Sequence, residues 1–247
     1  MQNAITRSFQ LDREHCLLHI PEQPNGYLIL YLGDAGHYVE EDRSFWGEHK
    51  GRATLMQALL DKGYTLYTSR IYGNHWGSEP AVNLLNRVYH HVIRQEILNP
   101  NIHVVAEGMG ALAALRWQEK YEVPIRSFVL VTPCVDLKAL YAQERTNQLY
   151  FKRLKKEISK AYTCGENEVD QIITNDLPTI QAPILVFHDM ANPHYSVHEH
   201  SRRLEEKQQS HKRHLELKLV IQPIFPRINQ SIIKFMNNYE KSLTDSF

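Results

Sequence analysis

The sequence predicts an α/β fold, a three-layer αβα sandwich around a mostly parallel central sheet, with a small helical cap inserted. Two observations predict it. Short apolar runs of strand length alternate along the chain with longer segments whose apolar residues recur at helical spacing, the order produced by parallel strands joined through right-handed helical crossovers. A chain of 247 residues, 43% hydrophobic and 23% charged, is also long enough to bury one large core.

Taken in order, residues 27–32 (YLILYL) form a continuous apolar run ending at Gly33, as a strand buried on both faces requires. Residues 53–62 carry apolar side chains at helical spacing and stop at Gly63, a C-terminal glycine. A strand over 64–69 leads into the turn-rich RIYGNHWGSEP. Leu85, Val88, Tyr89, Val92 and Ile93 then make one stripe of a helix over 81–98, closed by Asn99 and Pro100. The strand 102–106 (IHVVA) runs through Glu107, Gly108, Met109 and Gly110 into the helix ALAALRWQEKY. Further strands are expected at 128–132, 184–187 and 215–221, with helices over 197–208 and 229–241. Residues 136–181 look helical and interrupt the alternation. No repeat or linker marks a second unit, so the expectation is one domain over 1–247 with an insertion at 136–181.

Composition narrows the function. Twenty-eight Lys plus Arg balance 28 Asp plus Glu, which argues against a nucleic-acid binder, because phosphate contacts need an excess of basic residues. Cys16, Cys134 and Cys164 are odd in number and scattered, so neither a disulfide framework nor a zinc ribbon fits, and a cytoplasmic setting is expected. The N-terminus has no apolar core of signal-peptide length, and the apolar runs are shorter than the roughly 20 residues a membrane span needs.

The strand, the turn AEGMGA and a helix rich in small residues resemble the nucleophile elbow of the α/β-hydrolase fold. GYLILYLGDAGH resembles the strand and oxyanion loop that open such domains. LMQALLDKGYTLYTSRIYGNHWGS resembles the helix, strand and turn that follow, and PILVFHDMANPHYSVHEHSRRLEE the segment carrying the acid. The resemblance spans about residues 26–239, with 136–181 falling where this family inserts its cap. It implies a nucleophile, an acid and a histidine, in that chain order, at the carboxyl ends of the strands. Histidine would take the proton of the nucleophile while the acid fixes the histidine tautomer.

At those positions this chain departs from the pattern. The nucleophile seat is Gly108, which has no side chain with which to attack. The acid seat reads Asn192, an amide without charge, while Asp189 aligns with a glycine position. No histidine follows His214, and the loop after the last strand offers Phe225, Arg227 and Asn229 instead. The resemblance therefore implies a catalytically degenerate member, a pseudoenzyme that binds a small acyl or carboxylate ligand or a protein partner. Backbone amides after Gly33 and at Met109 would supply an anion cradle. The candidate ligand-binding residues are Gly33, Asp34, His37, His75, Trp76, Glu107, Met109 and His194, with Tyr72 and Cys134 near the same mouth.

The alternative is an active esterase or thioesterase in which Cys134, at the end of its strand in TPCVDL, replaces the nucleophile, or a base-only, lyase-like activity of Glu107. Neither a cofactor nor a metal is expected. Six of the 14 histidines lie within 188–214. His198 and His200, two apart, diverge by about 200° around a helix, and solvated helix faces account for most of this cluster. The basic amphipathic segment YFKRLKKEISKAY, with Leu149, Leu154 and Ile158 as its apolar stripe, reads as the outer face of the cap.

Overall fold

The computed structural model describes residues 4–174, 177–221 and 225–241. In chain order it contains β1 (Ala4–Leu11), β2 (Glu14–Pro21), β3 (Leu28–Leu32), α1 (Phe45–Glu48), α2 (Lys50–Leu60), β4 (Thr65–Ser69), α3 (Glu79–Gln95) and β5 (Ile102–Glu107). It continues with α4 (Met109–Tyr121), β6 (Ile125–Val131), α5 (Leu137–Glu144), α6 (Gln148–Tyr162), α7 (Val169–Ile172), β7 (Ile184–Asp189), α8 (Arg203–Ser210), β8 (Leu215–Val220) and α9 (Phe225–Lys241). The eight strands form one sheet in the order β1-β2-β4-β3-β5-β6-β7-β8. The β1–β2 and β2–β4 pairs are antiparallel, and all pairs from β4 to β8 are parallel.

Side-chain alternation on the strands builds the layers. Leu28, Leu30 and Leu32 of β3 face a core shared with α3 and α4, whereas Ile29 and Tyr31 face a second core shared with α2 and α9. Cover on both faces of the sheet explains why β3 to β7 are buried along almost their whole length and why stretches such as LILYL, FVLV and ILVF are unbroken apolar runs. A third cluster joins Trp76, Met109 and Cys134 to Leu140, Leu154 and Ile158 of α5 and α6, so the helices of 136–181 sit over the carboxyl ends of the strands.

The structure adds to or departs from those expectations in three places. The amino-terminal hairpin β1–β2, for which the sequence named no strands, carries Thr6, Arg7 and Ser8 in succession on an exposed edge, and its turn uses Asp12 and Arg13 at φ 56° and 67° rather than glycine. Tertiary contacts hold that turn: the Asp12 carboxylate accepts from Arg87 at 2.6 Å and from the Tyr72 hydroxyl. The last helix starts at Phe225, not 229, because Pro226 is tolerated in a first helical turn, where its missing N–H has no partner to lose. Arg227 and Asn229 therefore lie on α9 rather than in a loop, while 222–224 fall outside the described residues. Third, Leu149 is 84% exposed, so α6 buries only Leu154 and Ile158.

Candidate functional site

The tip of the β5–α4 turn is Gly108, at φ 49° and ψ −119°. A side chain at this φ is strained by about 1–3 kcal/mol, and glycine almost escapes that cost. The turn is held by Gly108 N–H donating to Val131 O (3.1 Å) and by Cys134 N–H donating to Gly108 O (2.9 Å). Two residues on, a Cβ at Gly110 would lie 2.8 Å from the carbonyl oxygens of Leu32 and Gly33, so glycine lets α4 start against the end of β3.

The space above Gly108 is filled from another strand end. A Cβ on residue 108 would meet Asp34 Cγ at 2.0 Å. Asp34 Oδ1 accepts three hydrogen bonds, from Met109 N–H (2.8 Å), Ala35 N–H (2.7 Å) and the Tyr195 hydroxyl (2.7 Å). The Asp34 amide is also spent, donating to His37 Nδ1 at 2.9 Å. The amides expected to cradle a ligand's carboxylate therefore hold the chain's own. Hydrogen bonds to a charged acceptor are each worth about 1.5–3 kcal/mol, so three on one oxygen anchor the plug firmly.

The groups around this plug are paired. His37 lies flat on Phe45 at 3.9 Å, and burial, helped by the charge of Arg52, pushes its imidazole down to about 3. It is a neutral acceptor rather than a proton shuttle. Glu107 receives both Nε (2.8 Å) and an Nη of Arg52, a buried fork-to-fork pair capped by Phe45 and Phe225 over the guanidinium at 5.1 and 5.0 Å. Desolvation raises the Glu107 carboxyl, and Arg52 opposes that shift. Cys134 is fully buried, and none of the described histidines hydrogen-bonds its sulfur. Burial, followed by the charge of Asp34, pushes this thiol well above its ordinary range, which keeps it protonated and a poor nucleophile.

Asn192, expected from sequence at the acid position, holds a turn. Asn192 Oδ1 accepts from the amides of His194 (2.9 Å) and Tyr195 (2.8 Å), and this turn aims Tyr195 at Asp34. Asp189, by its Oδ1, accepts from Ala191 N–H. In the histidine cluster, His188 and His200 are buried and wired, which corrects the expectation of solvated faces for these two. His188 Nε2–H donates to Tyr195 O (3.0 Å) and its Nδ1 accepts from the Ser201 hydroxyl (2.7 Å). His200 Nδ1 accepts from the amides of Val135 and Asp136 at 3.3 and 3.4 Å.

Two spaces remain. A cavity of about 20 Å³ behind Asp34 is lined by Gly33, Asp34, His37, His75 and Met109 and is the size of one water. A second, of about 210 Å³, lies between the mouth and α6, lined by Asp34, Trp76, His194, Tyr150 and Tyr195, with Arg153 and Glu157 at its cap side. Of the residues named from sequence, Asp34 joins both, Trp76 and His194 join the larger, and Glu107 lines neither. Tyr72 lies outside both, bonded to Asp12. Sequence reasoning missed Tyr195, Arg52, Tyr150 and Glu157. The only trace of them is that polar or aromatic residues recur on the cap segment and after Asn192. Trp76, at φ 44°, turns into the cap and donates from Nε1 to Glu157 at 3.1 Å.

No protein-family model matches this sequence, and neither does any curated protein. Solved structures do match. Est1E from Butyrivibrio proteoclasticus superposes with a TM-score of 0.68 at 10% identity, covering 96% of this chain and 99% of that one. The Francisella virulence factor BioJ matches with a TM-score of 0.63 at 15% identity over 96% and 85% of the two chains. The Pyrococcus horikoshii acylaminoacyl peptidase matches with a TM-score of 0.66 at 13% identity, over 97% of this chain but 42% of the peptidase. Strand order, the elbow between β5 and α4, and these full-length superpositions lead to one conclusion: the chain has the α/β-hydrolase fold.

Proposed function

We propose that this protein is a non-hydrolytic binding protein on the α/β-hydrolase fold, one domain over 1–247 with its cap at 136–181. The observation that carries the reading is the Asp34 carboxylate lying in the space of an absent nucleophile and occupying the Met109 and Ala35 amides. Acyl transfer needs both an attacking group and free donors at the developing oxyanion. Both places are taken. Binding falls to the 210 Å³ cavity beneath the cap, the larger of the two that border Asp34. The alternative with Cys134 as nucleophile lacks a histidine partner among the described residues, and a base-only role for Glu107 competes with its two bonds to Arg52. Scattered free cysteines fit a reducing, cytoplasmic setting, and no described helix is long and apolar enough to cross a membrane.

The test is incubation of the purified protein with short p-nitrophenyl esters, a fluorophosphonate and a thiol-directed probe. No turnover above buffer and no labelling by the fluorophosphonate are expected. Ester turnover that disappears in Cys134→Ala would overturn the reading.

A further inference from the structure

We propose that the cavity beneath the cap takes a small protonated amine, its N–H donating to Asp34 Oδ2 and its alkyl part lying on the rings of Trp76, Tyr150 and Tyr195. The proposal rests on the non-hydrolytic reading and specifies its ligand. Asp34 Oδ1 is saturated by three donors, whereas Oδ2 has no hydrogen-bond partner among the described residues, although Asp34 lines the cavity. A carboxylate oxygen in that position wants a donor.

The charge balance around it has one sign left over. Arg153 Nε donates to Glu157 at 2.8 Å, and the other Glu157 oxygen accepts from Trp76 at 3.1 Å, so the single lining cation is spent on the cap's own carboxylate. Asp34 is left with two amides and the Tyr195 hydroxyl as its donors and no cation of its own among the residues lining the cavity. Behind His194, Glu144 is 5% exposed, with its carboxylate 3.4 Å from the ring, and adds to the same field. The Tyr150 hydroxyl registers that field: burial raises it first, Glu144, Asp34 and Glu157 each raise it further, and Arg153 opposes them as the smallest of these influences.

The walls suit a cation as well. Tyr150 stacks on His194 at 4.6 Å and 16°, and Trp76 and Tyr195 line the same cavity; aromatic faces attract ammonium groups. A ligand carboxylate, by contrast, would find the amides taken and Asp34 beside it. At about 210 Å³ the space is below the usual range of roughly 300–1,000 Å³ for drug-sized ligands, which limits the amine to a few carbons.

Titration calorimetry with n-butylamine hydrochloride, n-butanol and sodium butyrate at pH 7 and equal ionic strength separates the classes. Butylammonium is expected to bind at least tenfold more tightly than either isostere. Asp34→Asn keeps an Oδ1 acceptor for the three donors, and its thermal melt checks the fold; it is expected to weaken butylammonium at least tenfold. Tyr150→Ala, on the cap, is expected to weaken it several-fold. Butyrate binding best, Asp34→Asn binding butylammonium as well as the parent, or no heat from butylammonium would each overturn the proposal. p-Nitrophenyl ester turnover by the same preparation would overturn the non-hydrolytic reading instead, so the two failures are distinguishable.

Discussion

At the residue scale the protein turns on two positions that share one space. Gly108 leaves the volume, and the Asp34 carboxylate takes it. The coupling is measurable. Gly108→Ser puts a side chain at φ 49° and within bonding distance of Asp34, so it should lower stability by about 1–3 kcal/mol for strain and overpacking in urea unfolding. In an Asp34→Ala background the steric part should vanish, giving a clearly non-additive cycle; additive losses would mean that the two groups do not compete. The glycine was legible in the sequence, since an elbow residue without a side chain is read directly. The plug was not. Asp34 looked like a loop residue lending its backbone, and only the approach of β3 to the start of α4 brings its carboxylate over residue 108.

At the scale of elements, Arg52 of α2 reaches the end of β5 and locks Glu107 in a buried fork. Removing one partner of such a pair leaves an uncompensated buried charge, a loss of about 3–5 kcal/mol, whereas an apolar pair of similar volume is often neutral. Arg52→Met should therefore destabilise by that amount, and Arg52→Met with Glu107→Met should recover most of it, as read from denaturant midpoints. Most elements were readable from apolar period and glycine stops, because β3 to β7 are covered on both faces. The β1–β2 hairpin escaped notice because an edge strand with residues such as Thr6, Arg7 and Gln10 carries little apolar signal. Its turn is held by Arg87 and Tyr72, residues distant in sequence.

Across the whole molecule, burial sets the protonation of several histidines. Burial pushes His19 down to about 4, and His37, His75 and His200 to about 3, from an ordinary 6.5. Each is neutral in the folded state and titrates normally when unfolded, so the unfolded chain binds more protons below 6.5. The stability is therefore fully present above 6.5 and is lost as pH falls toward 3. One unit below 6.5 each group forfeits about 1.4 kcal/mol. Glu107, raised by burial, acts in the opposite direction. Between pH 7.5 and 5.5 the melting temperature should fall by on the order of 10–20 °C, and a flat profile across that range would contradict the burial of these rings. His75→Gln, which cannot titrate, should flatten part of the slope.

By itself the sequence determined the alternation of strands and helices from β3 onward and the glycine at the β5–α4 turn, because periodicity, chain punctuation and residue identity are local properties. Only the tertiary structure decided what fills the space above Gly108, which amides are spent and which side chains line the cavity. Those depend on side chains from β3, the loop after β7 and α6 converging on one point, and convergence of distant segments leaves no periodic trace along the chain.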